Sequence, residues 1–143
     1  MPVAFDLHYV DEIISVRKQQ HGGLRGAPAV TNGYRQGESL NRSCMVMLSA
    51  LLQGYIENVF VAASARAMPR LARSGAVEQY RRTFRRWGNP SPANIVALFQ
   101  RIGITDVLDG LSWRNCANQT VRSRLDHLNQ IRNGIAHGNQ NLQ

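Results

Sequence analysis

The chain has 143 residues, 43% of them hydrophobic, and a formal net charge of +8. That length suits one domain with its own core. No unbroken apolar run approaches the roughly 18 residues of a membrane span, and Met1 to Asp11 has neither the basic start nor the apolar centre of a signal peptide. Cys44 and Cys116 stand far apart, with no CxxC and no second ligand pair, which fits two buried, reduced thiols in a cytoplasmic protein. The positive charge is almost all arginine, with Lys18 the single lysine. Arginine forks match phosphate oxygens and stack on bases, so a polyanion partner is expected, with RNA, DNA and an acidic protein all open.

In chain order, Phe5 to Gln20 predicts the first helix. Leu7, Val10, Ile13, Ile14 and Arg17 follow the helical period, and Asp6, Asp11 and Glu12 lie towards the end where negative charge is favoured. His21 to Gly37, glycine-rich with Pro28 and Asn32, predicts a loop or lid. Gly37 to Arg66 predicts the longest helix, with Ser39 or Asn41 as its cap. Its apolar residues from Val46 to Phe60 are too dense for a surface helix, so it should be central and covered on most sides. Glu57, inside that run, is expected to be solvated or ion-paired.

Ala67 to Trp87 changes character. Pro69 should open it, because proline is tolerated in a first turn. Seven arginines fall in or beside it (66, 70, 73, 81, 82, 85 and 86) against the single acid Glu78. Val77, Tyr80, Phe84 and Trp87 form an apolar edge flanked by the arginines of YRRTFRRW. Arg81, Arg82, Arg85 and Arg86 are therefore the candidate RNA-binding residues, tracking phosphates beside aromatics that could stack on bases. The plainer alternative is a helix with core aromatics and solvated arginines. After a turn at Gly88 to Pro92, Ser91 and Pro92 read as N-cap and first helical residue. Ile95, Val96, Leu98, Phe99 and Ile102 then make a short helix ending at Gly103. Ile104 to Trp113 is a compact connection with Trp113 as a core anchor, and Asn118 or Thr120 should cap the last helix. About five helical segments and no convincing strand give an all-α helical bundle, one domain over residues 1–143.

The chemistry concentrates in the last helix, Val121 to Asn139, which should end at Gly138. Val121, Leu125, Leu128 and Ile135 form its apolar stripe. Arg132 falls where that stripe should continue, so it should meet a partner, an anion or a water-filled cleft. Asn133 and His137 share a face, about 40° apart on an ideal helix, whereas Arg132 and His137 lie about 140° apart. The latter two can converge on one ligand only if the helix frays or a second copy supplies the other half. The plainer alternative is a histidine favoured by the helix dipole before a terminating glycine, with Arg132 snorkelling and Asn133 on the surface. His8, His21 and His127 lack ligand spacing with carboxylates or cysteines, and the chain has no P-loop, dinucleotide fingerprint or G-x-S-x-G. No metal and no cofactor is expected.

Ile131 to Gly138, IRNGIAHG, resembles the signature of HEPN domains, in which an arginine and a polar residue precede a histidine by a few positions. Arg132, Asn133 and His137 match it. Two further stretches resemble the HEPN branch found beside RNA ligase and phosphatase modules: Leu40 to Phe60, LNRSCMVMLSALLQGYIENVF, and Asn89 to Trp113, NPSPANIVALFQRIGITDVLDGLSW. The resemblance covers most of residues 38–139. It implies a helical bundle that dimerises through the C-terminal helix region, with the arginine and histidine of both copies lining one cleft. It further implies a metal-independent endoribonuclease, a toxin or defence effector, in which His137 is the acid/base, Arg132 clamps the phosphate and Asn133 orients His137 or the phosphate. Histidine chemistry suits this, since an imidazole ordinarily titrates near ~6.5. Other members of the family bind or assemble without catalysis, so the alternative is a non-catalytic RNA-binding or assembly module of the same fold. A third expectation is a positive face that recognises an acidic antitoxin or regulatory protein. Gly134 inside the last helix costs about 1 kcal/mol relative to Ala, but would let a partner helix approach closely.

Overall fold

The computed structural model describes residues 3–22, 29–73, 76, 79, 82 and 87–138. Helices carry it: α1 (His8–His21), α2 (Glu38–Ala67), α3 (Pro69–Arg73), α4 (Pro92–Gln100) and α5 (Asn118–Ala136). The fold is all-α, as the periodicity implied. Pro69 opens α3, where its missing N–H is no loss. Within the segment expected to be a loop lies a short antiparallel pair, β1 (Val30–Thr31) and β2 (Tyr34–Arg35), with Val30 opposite Arg35 and Thr31 opposite Tyr34. Asn32 and Gly33, both at positive φ, make the two-residue turn between them, which is the Asn-Gly hairpin signal.

The core forms where α2 meets α4 and the segments flanking α4. Ile56 and Phe60 of α2 close on Trp87, Ile95, Leu98, Phe99 and Leu108. The Phe60 and Phe99 rings meet edge to face with centroids 5.5 Å apart, the arrangement ring quadrupoles favour. α2 touches each of the other helices, α1 and α5 most extensively. At the N-terminal end, Phe5 packs its ring 5.1 Å from that of Tyr55.

Several local expectations fail for reasons of tertiary structure. α2 is not covered on most sides: Val46 and Met47 are exposed, and its fully buried residues are Ser49, Ile56, Phe60 and Ser64. By length and composition it is apolar enough to cross a membrane, with an 18-residue window of mean hydropathy 1.5, of which 17% is buried. Polar residues scattered along α2 interrupt that stretch, so it contains no unbroken apolar run. Neither Ser39 nor Asn41 caps α2; Gly37 holds the N-cap, with no side-chain bond. Asn118 and Thr120 do not cap α5 either, because the N-cap is Ala117. The Asn118 amide instead donates to Leu108 O (2.5 Å) and Leu111 O (3.2 Å) and accepts from Arg122 Nε (2.9 Å). With the Arg122–Asp106 ion pair at 2.6 Å, it ties the connection before α5 to the helix itself. Trp113, the expected core anchor, is 61% exposed; its backbone pairs with Cys116 in a tight turn that puts the indole outside.

Candidate functional site

The end of α5 follows from its sequence. His137 N donates to Asn133 O at 3.0 Å and Gly138 N to Ile135 O at 3.2 Å. Gly138 adopts φ +70, a conformation glycine enters without the penalty a Cβ carries. The helix therefore stops there, and His137, the C-cap residue, stands exposed.

One turn back, Arg132 and Asn133 are half-buried and joined. Arg132 Nη1 donates to Asn133 Oδ1 at 3.1 Å, and Asn89 Nδ2 donates to the same oxygen at 2.8 Å. A guanidinium has no acceptor, so the atom facing it is the amide oxygen. The Asn133 NH2 group is thereby turned away from both donors, and no described residue pairs with it. Arg132 has its partner, as a cation interrupting an apolar stripe requires. His137 is not part of this cluster: among the described residues, no side-chain hydrogen bond, ion pair or ring contact links it to Arg132 or Asn133. For Arg132 this agrees with the roughly 140° that separates it from His137 on an ideal helix; Asn133, on the same face as His137, makes no side-chain bond to it either.

The turn that delivers Asn89 is held from three directions. Asn94 Nδ2 donates to Asn89 O at 2.9 Å, and Ser91 Oγ accepts from Asn94 N at 3.2 Å as the N-cap of α4, with Pro92 in its first turn. Gly88 sits at φ +97 against the Asn94 amide; a Cβ there would meet Asn94 Nδ2 at 2.6 Å. Trp87, 6% exposed, donates its indole Nε1 to Glu57 Oε1 at 3.0 Å, and Gln53 Nε2 approaches the same oxygen at 3.4 Å. Glu57 is half-buried, makes no ion pair among the described residues, and anchors the start of the turn. Trp87, the last residue of the expected aromatic edge, lies in the core, as the plainer alternative held for it; Val77, Tyr80 and Phe84 lie outside the described residues. Sequence reasoning missed Asn89 and Asn94; the signal was there in NPSP, whose proline-stiffened turn places Asn89 just ahead of the Ser91 cap.

Of the four arginines expected to bind RNA, Arg82 is exposed; Arg81, Arg85 and Arg86 lie outside the described residues. Among the described residues no group of three or more His, Cys, Asp or Glu is arranged to hold a metal. Both cysteines are free, Cys116 buried and Cys44 half-buried. Burial pushes the Cys44 thiol above its ordinary range, and the nearby Asp11 carboxylate adds to the rise.

A second feature opens on the same helix. An apolar groove of about 370 Å³ runs between α2 and the first half of α5, lined by Met45, Leu48, Trp113, Val121, Leu125 and Leu128, with Arg124 and His127 also on its wall. Val121, Leu125 and Leu128 belong to the stripe that Arg132 continues.

A helical bundle whose last helix carries a clamped arginine–asparagine pair and ends on an exposed histidine defines a recognisable class. A family model described as RiboL-PSP-HEPN matches residues 8–142. The chain belongs to the HEPN family, in the branch associated with RNA ligase and phosphatase modules. Membership points to a nuclease or RNA-related function. No curated protein and no solved structure shows significant similarity to the chain.

Proposed function

We propose that this protein is a metal-independent endoribonuclease whose cleft forms between two copies of the chain. The observation that carries the proposal is the Arg132–Asn133 pair, fixed by Asn89 one turn before the exposed His137. RNA brings its own nucleophile, the 2′-hydroxyl beside the scissile phosphate. His137 of one copy takes the 2′-hydroxyl proton, the 2′-oxygen attacks phosphorus, and the bond from phosphorus to the 5′-oxygen breaks. His137 of the second copy gives the departing oxygen a proton. Arg132, with the Asn133 NH2 beside it, binds the non-bridging oxygens as charge builds on phosphorus. The products are a 2′,3′-cyclic phosphate and a 5′-hydroxyl.

One feature supports pairing of copies. The apolar groove and exposed Trp113 leave hydrophobic surface beside the site, of the kind that marks interfaces. Gly134, expected to admit a partner helix, is already buried within its own chain and lends pairing no support. In this proposal two-fold symmetry places two arginines and two histidines around one phosphate, which dissolves the 140° problem within one helix. The arginine-rich segment supplies affinity for the rest of the RNA. The proposal includes a toxin or defence role, with an acidic antitoxin or regulator masking the positive surface.

The test is cleavage of a single-stranded RNA in EDTA by the wild type, Arg132→Ala and His137→Ala. Loss of one oxyanion-stabilising donor typically costs about 10²–10³ in kcat, and both changes should reach at least that. Undiminished cleavage by both variants ends the assignment. One observation favours a second function, RNA binding without catalysis: no described residue orients the His137 imidazole. RNA binding with steep salt dependence and no product in EDTA would select it.

A further inference from the structure

We infer that Asn89 is the positioning residue of this site, setting the Asn133 amide and, through it, the Arg132 guanidinium. The inference rests on the assignment of Arg132 as the phosphate clamp. The Asn133 oxygen has two lone pairs, and two donors occupy them: Asn89 at 2.8 Å and Arg132 at 3.1 Å. While both are present the amide cannot flip, because a flip would set its NH2 group against two other donors. Its own two N–H groups are then presented together with the N–H groups Arg132 does not spend on Asn133. That makes a donor surface suited to the non-bridging oxygens of a phosphodiester. Remove the Asn89 amide and the Asn133 oxygen keeps one partner. The guanidinium, held by that single bond, moves with the loosened amide.

The Asn89 side chain is separable from the fold of its turn. The bonds that shape the turn use the Asn89 main-chain carbonyl, which accepts from Ser91 N at 2.7 Å and from Asn94 Nδ2 at 2.9 Å. Both survive a change of side chain. Among the described residues, the one side-chain bond Asn89 donates goes to Asn133, across 44 residues of sequence. The residue is outside the apolar core, so its amide contributes to the site and not to packing.

The experiment pairs kinetics with a spectroscopic reading that needs no turnover. Asn89→Ala should lower kcat about tenfold to a hundredfold, the cost of a small misplacement of a catalytic group, while KM moves little. In an Asn133→Ala background the same change should cost nothing further. Equal losses in both backgrounds would show a structural role and overturn the inference. In ¹⁵N NMR spectra, Asn89→Ala should shift the Asn133 side-chain amide pair and speed rotation of the Arg132 guanidinium; unchanged signals for both overturn it equally. Asn89→Asp keeps the shape, offers no N–H and should draw the guanidinium off Asn133, so it serves if the alanine variant does not fold. A wild type that shows these NMR changes on substitution but cleaves no RNA would refute the nuclease assignment while leaving the clamp in place.

Discussion

Replacing Trp87 with Phe tests the brace beneath the Asn89 turn. The change deletes the indole N–H that donates to Glu57 Oε1 at 3.0 Å, leaving that half-buried carboxylate with Gln53 at 3.4 Å. A hydrogen bond to a charged acceptor contributes about 1.5–3 kcal/mol. Trimming an indole to a phenyl ring in a closed core adds roughly 1 kcal/mol, by comparison with other small core truncations. The sum is about 2.5–4 kcal/mol, and at roughly 3–4 °C per kcal/mol for a chain of this size Tm should fall by about 8–16 °C. Thermal unfolding followed by circular dichroism measures it. The second tryptophan gives an internal check: Trp113 is 61% exposed against 6% for Trp87, so the variant should keep only the red-shifted, readily quenched emission. Glu57→Gln retains an acceptor oxygen but loses the charge, and should cost about 0.5–2 kcal/mol, the difference between a charged and a neutral bond. A Tm loss below about 2 °C for Trp87→Phe would refute the brace.

Changing Arg81, Arg82, Arg85 and Arg86 together to Gln should weaken single-stranded RNA binding and flatten its salt dependence by roughly 0.7 in log–log slope for each phosphate no longer neutralised; an unchanged slope would place the RNA on another surface. Cys44 should give an alkaline signature. Its thiol is raised above the ordinary 9.0 by burial and by Asp11, so the folded chain holds that proton longer than the unfolded one. The resulting stability is fully present below the ordinary thiol value and is lost as pH rises through it towards the folded value. Iodoacetamide should therefore alkylate Cys44 more slowly in the native protein than in the unfolded one near that pH, and equal rates would contradict the assigned burial.

What the sequence made legible was local. Ser91 before Pro92 announced the N-cap of α4, Pro69 opened α3, and Gly138 ended α5, because each depends on backbone chemistry within one turn. Arg132 in an apolar stripe announced that a partner was needed, but not which one. Asn89 lies far away in sequence, and only the folded turn brings its amide to Asn133. Trp113 and the outer face of α2 misled for the opposite reason. Hydrophobicity states what should be covered, not whether the same chain covers it; the tight turn at Trp113 and Cys116 puts the indole outside. Asn32-Gly33 reads as loop punctuation in a glycine-rich setting, although the same dipeptide nucleates a hairpin. The family resemblance lay in three stretches whose order along the chain matched, and the match over residues 8–142 bears it out.

The shared cleft is tested most directly by mixing two inactive proteins. The Arg132→Ala homodimer lacks both arginines of the cleft and the His137→Ala homodimer both histidines, but a heterodimer holds one intact Arg132 and one intact His137 around the same gap, with the imidazole as base and water left to protonate the departing oxygen. Subunits exchanged between the two variants should recover a measurable fraction of wild-type cleavage in EDTA, yielding 2′,3′-cyclic phosphate ends. A mixture that has demonstrably exchanged subunits yet cleaves no faster than the two variants apart would contradict a site built from both copies.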